Sequence, residues 1–294
     1  MPIACRMNTT DFELYNTTAS ASASIVIRSY STSFGWASRL LDATTQAHIA
    51  RIYALVRIAD ELVDGPAEAA GVDTATRAVL LDELEAETSR ALQLGFSTNL
   101  VVHAFALTGR EHGISMDLCR PFFASMRRDL EAATFTDAEL DEYIYGSAET
   151  VGLMCLAVFE SGMQREAGER ELLVAGARSL GAAFQKVNFL RDFACDHDDR
   201  GRAYFPGTED GLTESSKTAV VASIRQDLRA ADASIPFLSS GCRAAVWAAR
   251  AMFAALTDRI ESTPASELMR MRVRVPNPVK ARILVRALAM RVVR

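Results

Sequence analysis

The chain has 294 residues, 49% of them hydrophobic, and a formal net charge of −5. That length and apolar content can bury a large core as one domain or as two tightly joined halves. The interspersed charges argue against nucleic-acid binding, no apolar run reaches the roughly 20 residues that cross a bilayer, and no apolar segment behind a basic start marks a secretory signal.

Residues 1–20 are expected to form a flexible N-terminus, and the alanine/serine alternation at 19–24 is too short to count as low complexity. Beyond them apolar positions recur with a helical period, alternating strand patterns do not stand out, and only 8 prolines and 16 glycines punctuate the chain. The reading is all-α. Helices are expected over roughly 44–64, 75–94, 98–110, 118–132, 137–160, 166–196, 215–232, 238–262 and 279–293. Loops are expected at Gly65-Pro66, around Gly109-Gly113, at Ser161-Gly162, from Pro206 to Ser216 and at Pro276-Asn277-Pro278.

Two of these helices carry paired aspartates. Asp60 and Asp64 close the first, and Asp192 and Asp196 end the sixth. A spacing of four puts both carboxylates of a pair on one helical face, where they repel unless a cation lies between them. Carboxylates at a helix C-terminus also meet the negative end of the macrodipole. Tyr53, Arg57, Asp60 and Asp64 fall within an arc of roughly 60°, and the other faces of that helix carry Ile52, Leu55, Val56, Ile58, Ala59, Leu62 and Val63. Gln185, Asn188, Asp192 and Asp196 span about 80° on the other helix, with Arg191 on the flank. Two such faces opposed across a cavity would clamp divalent cations carrying a phosphorylated ligand. Amides and guanidinium groups donate the hydrogen bonds that carboxylates cannot. Taken singly, either pair could be no more than a solvated face.

The remaining features carry less. Cys5, Cys119, Cys155, Cys195 and Cys242 include no CxxC spacing, which fits free thiols in a reducing cytoplasm. His48, His103, His112 and His197 show no ligand spacing and read as surface or partly buried structural residues. Asp196 to Gly201 resembles a calcium loop, but Arg200 and Gly207 occupy positions that need oxygen ligands. GxGxxG, P-loop, GxSxG and HExxH motifs are absent. Residues 270–294 hold eight basic side chains and no acidic one. They read either as an amphipathic helix lying on an anionic membrane surface or as a terminal helix packing Ile283, Leu284, Leu288 and Val292 onto the bundle.

At these residues the chain resembles the squalene/phytoene synthases. The match runs through Ser31-Thr32-Ser33-Phe34-Gly35-Trp36-Ala37, the segment Tyr53 to Asp64, and Gln185-Lys186-Val187-Asn188-Phe189-Leu190-Arg191-Asp192 continuing to Gly201-Arg202-Ala203-Tyr204-Phe205-Pro206. A further segment, Tyr143 to Met154, looks most like bacterial phytoene synthases. The resemblance implies one isoprenoid synthase-like domain, a multi-helix bundle around a central apolar cavity. It implies head-to-head joining of two allylic prenyl diphosphates through a cyclopropyl diphosphate, assisted by Mg²⁺, with Mn²⁺ as the alternative ion. Asp60, Asp64, Asp192 and Asp196 would hold metal. Arg57, Gln185, Asn188 and Arg191 would hold phosphate oxygens, with Ser31, Ser33 and Lys186 adding donors. Phe34, Tyr53, Tyr143 and Tyr204 match positions near the reacting carbons, and Ala148, Gly152, Leu153 and Leu156 would line the tunnel for prenyl tails.

The product implied is phytoene from geranylgeranyl diphosphate, with no NADPH requirement. The alternative is squalene, dehydrosqualene or presqualene diphosphate from farnesyl diphosphate. A non-catalytic assembly factor is a further alternative, set against by the presence of all four aspartates. Two positions and one loop depart from the family pattern. Glu61 replaces a common aspartate and keeps its charge; Glu149 replaces a small residue beside the tunnel; and the loop from Asp196 to Tyr204 is longer by one residue than is usual.

Overall fold

The computed structural model describes residues 10–31, 33–131, 134–194 and 202–292. The described segment at the N-terminus forms a helix instead of the flexible tail expected there: α1 (Asp11–Tyr30). Thr10 and Glu13 make a reciprocal capping box, with bonds of 3.2 and 2.6 Å to each other's backbone N–H groups. The helix packs through Ala19 and Ala23, both fully buried, against Ala54 and Ala104. Alanine contacts bring backbones close but leave no bulky apolar stripe in the sequence. That is why the periodic pattern did not reveal this helix.

The chain continues through α2 (Ser33–Ser38), α3 (Ala43–Val63), α4 (Pro66–Ala69), α5 (Thr74–Leu94), α6 (Leu100–His112) and α7 (Met116–Glu131). Asp42 starts α3 by accepting from the backbone N–H groups of Thr44 and Thr45, each at 3.0 Å. Asp64 is the C-cap of α3 and already has extended backbone, so it leaves the helical face that Asp60 still occupies.

The long helix expected over 137–160 is interrupted. It consists of α8 (Asp137–Ile144), one π-helical turn at Tyr145–Glu149, and α9 (Thr150–Phe159). The π turn passes the Thr150 N–H to Tyr145 O, and Ser125 Oγ donates to Tyr143 O at 3.0 Å. Gly146 makes the turn possible, because a Cβ there would lie 2.2 Å from both Pro121 O and Ser125 Oγ. Such turns re-aim the side chains that follow them.

The chain then forms α10 (Ala167–Ala194), α11 (Glu214–Ser234), α12 (Ser240–Ser262), α13 (Ala265–Leu268) and α14 (Asn277–Val292). Among the described residues no strand is present, only an isolated bridge between Thr134 and Ala203. The fold is all-α, as expected. One apolar core gathers side chains of α3, α5, α6, α7 and α9, and another gathers those of α8, α10, α11 and α13. Helix α12 contributes to both, with Ala245 and Ala248 in the first and Leu256 and Ile260 in the second.

Helix α14 buries Ala287 and packs Ile283 and Leu284 on the bundle. Leu288 does not join them; it is 49% exposed, as are Val285 and Met290 in large part. Among the described residues no helix is long and apolar enough to cross a membrane.

Candidate active site

A cavity of about 530 Å³ lies between α3, α9, α10, α11 and α12. Two polar stripes face it from opposite helices: Tyr53, Arg57 and Asp60 from α3, and Gln185, Asn188 and Arg191 from α10. Most of the remaining lining is apolar, including Val151, Phe159, Leu180 and Ala249, with Ser38, Ser147 and Ser234 among it. The 3.6-residue repeat explains this division, since each helix turns one narrow polar edge inward and buries the rest.

Guanidinium groups hold the carboxylates at the polar end. Arg57 Nη1 lies 2.6 Å from Asp60 Oδ2, its other amino group reaches Glu61, and its plane sits over the Tyr30 ring at 4.6 Å. Glu61 therefore turns its charge to Arg57. Asp192 is gripped by Arg191, Nε to Oδ1 at 3.0 Å, and by Arg272, Nε to Oδ1 at 2.6 Å. Asp64 is bound by Arg202 at 2.8 Å. Among the described residues, the oxygens of these three aspartates do not all come within 4.8 Å of one another. Of the three, only Asp60 is among the cavity-lining residues; Asp64 and Asp192 are not, although Arg191 and Arg272, which bind Asp192, do line it.

Burial raises the Tyr53 hydroxyl above its ordinary value, against the opposing pull of Arg57 and a hydrogen bond with Ser31. Tyr53 therefore stays neutral and offers its ring and its O–H. Ser31 lines the cavity too, and its Oγ accepts from Gly35 N at 3.2 Å. Asn188 Oδ1 and Ser147 Oγ are buried, line the cavity and have no hydrogen-bond partner. An unsatisfied buried oxygen is costly, so these two atoms mark where a polar ligand group would be accepted. Burial pushes the Cys155 thiol up to about 12, so this cavity-lining thiol is not a nucleophile.

Deeper in, the rings of Phe184 and Phe253 stack at 3.7 Å and 17°, giving the cavity an aromatic wall. Of the expected tunnel residues, Ala148, Gly152 and Leu156 line the cavity, whereas Leu153 faces a separate pocket. The glycines set how closely the walls approach. A Cβ on Gly152 would lie 2.5 Å from Ala177 O, and one on Gly176 would lie 1.9 Å from Ser234 Oγ. Glu149 turns aside to Arg178 at 2.6 Å and does not line the tunnel.

Several residues expected at the reacting carbons lie elsewhere. Tyr143 and Tyr204 are buried behind the cavity and are not among its lining residues. Their hydroxyls donate to Asp129, at 2.8 and 3.0 Å, and their rings pack with Phe135 and Phe189. Lys186 follows Gln185 by one residue and so points about 100° away from it. Its ammonium binds Ser223 Oγ and Asp227 Oδ2 on α11, each at 2.8 Å. Asp196 and the side chains of Ser33 and Phe34 lie outside the described residues.

The sequence reading missed Asp129, Arg202, Arg272 and Phe253. Asp129 is 8% exposed, and its burial pushes the carboxyl up to about 7 despite the opposing pull of Arg202. Burial also works against the Arg202 charge, but Tyr204, Asp129 and Asp64 outweigh it and hold the guanidinium protonated. Asp129 follows two arginines in an otherwise amphipathic helix, so nothing in its local sequence separates it from a solvated charge. Arg202 stood within a recognised segment, which was the available signal.

The squalene/phytoene synthase profile matches residues 27–278. The chain belongs to this family. Chloroplastic phytoene synthase 3 of Zea mays is 29% identical over 279 residues, covering 89% of this chain and 63% of the maize protein. The 15-cis-phytoene synthase of Synechocystis sp. is 28% identical over 277 residues, covering 87% of this chain and 80% of the relative. The chain thus spans less than two thirds of the plant relative's length. In fold it is similar to a dehydrosqualene synthase solved in complex with ligand, with a TM-score of 0.73, 20% identity, and coverage of 95% of this chain and 98% of the other.

Proposed function

We propose that this chain is a phytoene synthase, condensing two geranylgeranyl diphosphates head to head through a cyclopropyl diphosphate to phytoene. One observation carries the reading: α3 and α10 turn matched polar edges toward one end of an otherwise apolar cavity. A diphosphate would sit between those edges, with its tail down the cavity.

The donor set suits Mg²⁺, which prefers hard oxygen ligands. Asp60, Asp64 and Asp192 offer carboxylates, and Asn188 Oδ1 is a buried neutral oxygen without a partner; Asp196 is assigned with them on sequence alone. Bound there, Mg²⁺ supplies charge neutralisation for the departing diphosphate. Arg57, Arg191 and Arg272 lie at the same end and can each exchange a carboxylate for a phosphate oxygen. Gln185 and Asn188 orient the diphosphate by their amide N–H groups.

The apolar chamber excludes water from the allylic cation formed when the carbon–oxygen bond breaks. Tyr53 and the stacked Phe184 and Phe253 present aromatic faces to that cation. Tyr143 and Tyr204 act through Asp129 and Arg202 to position Asp64.

Incubation with Mg²⁺ and geranylgeranyl or farnesyl diphosphate, with and without NADPH, followed by product mass, tests the reading. The expected result is phytoene from the twenty-carbon substrate, unaffected by NADPH. A product from farnesyl diphosphate alone would overturn the substrate assignment, and no hydrocarbon from either would overturn the activity.

A further inference from the structure

Outside the cavity, the fold gathers three side chains that their sequence spacing keeps apart. His48 sits in the second turn of α3, while Glu111 and His112 close α6. The His48 and His112 rings meet edge to face, with centroids 4.4 Å apart. Glu111 Oε1 lies 3.7 Å from His48 Nε2 and 3.9 Å from His112 Nε2. All three ligand atoms fall within 4.8 Å of one another, and among the described residues no other trio of His, Cys, Asp or Glu does so.

We propose that His48, Glu111 and His112 form a second metal site, for a zinc-class divalent cation, separate from the diphosphate site. Two imidazole nitrogens and one carboxylate make a donor set that zinc takes with a fourth position open. Ligand atoms on a tetrahedral zinc are about 3.4 Å apart, given bond lengths of about 2.0–2.1 Å, so a small contraction closes the observed triangle.

Independent observations point to a ligand here. The His112 side chain is only 5% exposed, yet neither of its ring nitrogens has a hydrogen-bond partner. Two orphaned nitrogens on one buried ring are an unusual cost, which a bound cation would relieve at Nε2. His48 Nδ1 lies 3.0 Å from Thr108 Oγ1; with Nδ1–H donating to that hydroxyl, in place of accepting from Arg51 Nη1 at 3.4 Å, Nε2 would present its lone pair to the ion. The cation would also face the C-terminal, negative end of α6.

Arg51 opposes the site, with Nη1 at 3.4 Å from His48 Nδ1, and the Glu111 carboxylate offsets that charge. Glu111 and His112 open onto a pocket of about 720 Å³, which can admit the ion and the water that completes its shell. Glu160 Oε1 is buried without a hydrogen-bond partner on the same pocket. Bound metal would tie α3, which carries Arg57 and Asp60, to α6.

The test uses full-length, tag-free protein stripped with chelator, titrated with Co²⁺ and then Zn²⁺. One equivalent of Co²⁺ should give the visible absorption of a four- or five-coordinate nitrogen/oxygen site, discharged by Zn²⁺, and Zn²⁺ should raise Tm. His112→Asn and Glu111→Gln should each weaken binding about tenfold or more. Glu111 is 58% exposed, so its variant keeps the test open if His112→Asn fails to fold. An Asp60→Asn/Asp192→Asn double variant should retain the absorption. Absence of the absorption, an unchanged Co²⁺ affinity in Glu111→Gln, or loss of the absorption only in the aspartate double variant would each overturn the proposal.

Discussion

Arg202 Nη1 lies 2.8 Å from Asp64 Oδ1, joining the segment that follows α10 to the end of α3. The other amino group of Arg202 donates to Asp129 O at 2.6 Å, so one buried guanidinium fixes α7 as well. The aspartate that leaves the helix at the C-cap is thereby placed by a cation from a distant part of the chain. Replacing Arg202 by Met should therefore cost about 3 kcal/mol, because Asp64 and the buried Asp129 O lose their donor, while the Asp129 carboxyl, no longer held down by Arg202, takes up a proton and keeps Tyr143 and Tyr204 as partners. Urea denaturation measures that loss. Conservative Arg202→Lys should recover only part of it, since an ammonium cannot bridge both partners in the planar geometry.

Asp129 makes stability depend on pH. Its folded carboxyl titrates at about 7 against an ordinary value of 3.8, so between those values the folded chain binds a proton that the unfolded chain does not. Stability from this group is therefore present at low pH and falls as pH rises through that window, by on the order of a few kcal/mol. Asp129→Asn should remove this slope. Urea midpoints at several pH values, for wild type and variant, measure it; parallel profiles would show that Asp129 does not titrate in that range.

Lys186 distinguishes family resemblance from geometry. Its ammonium lies 2.8 Å from Asp227, with both side chains less than about one-fifth exposed. Lys186→Met should lower stability by up to about 1 kcal/mol while kcat/KM stays within a few-fold of wild type. A loss of two orders of magnitude in kcat/KM at unchanged stability would return Lys186 to the substrate.

The helical class, the two stripes and their shared cavity were legible because each is local: a 3.6-residue repeat places Tyr53, Arg57 and Asp60 together, as it does Gln185 and Asn188. Less legible was anything set by contact between distant elements. Helix α1 packs through alanines, so its buried face lacks the bulk that a hydropathy pattern registers. The π turn at Tyr145–Glu149 depends on Gly146 fitting under Pro121 O on another helix. Tyr143 and Tyr204 were assigned by motif to the reacting centre, but their hydroxyls are claimed by Asp129, which no motif marked. His48 and His112 showed no ligand spacing because they meet only through the packing of α3 against α6.

The central claim is that the α3 and α10 edges serve one diphosphate. The most direct measurement is Mg²⁺-dependent diphosphate release from geranylgeranyl diphosphate by wild type, Asp60→Ala and Asp192→Ala, with circular dichroism and Tm confirming the fold. The account predicts that each variant loses at least about two orders of magnitude in turnover, comparable with losing one preorganised charge-stabilising group. Near-normal turnover in either well-folded variant would contradict it.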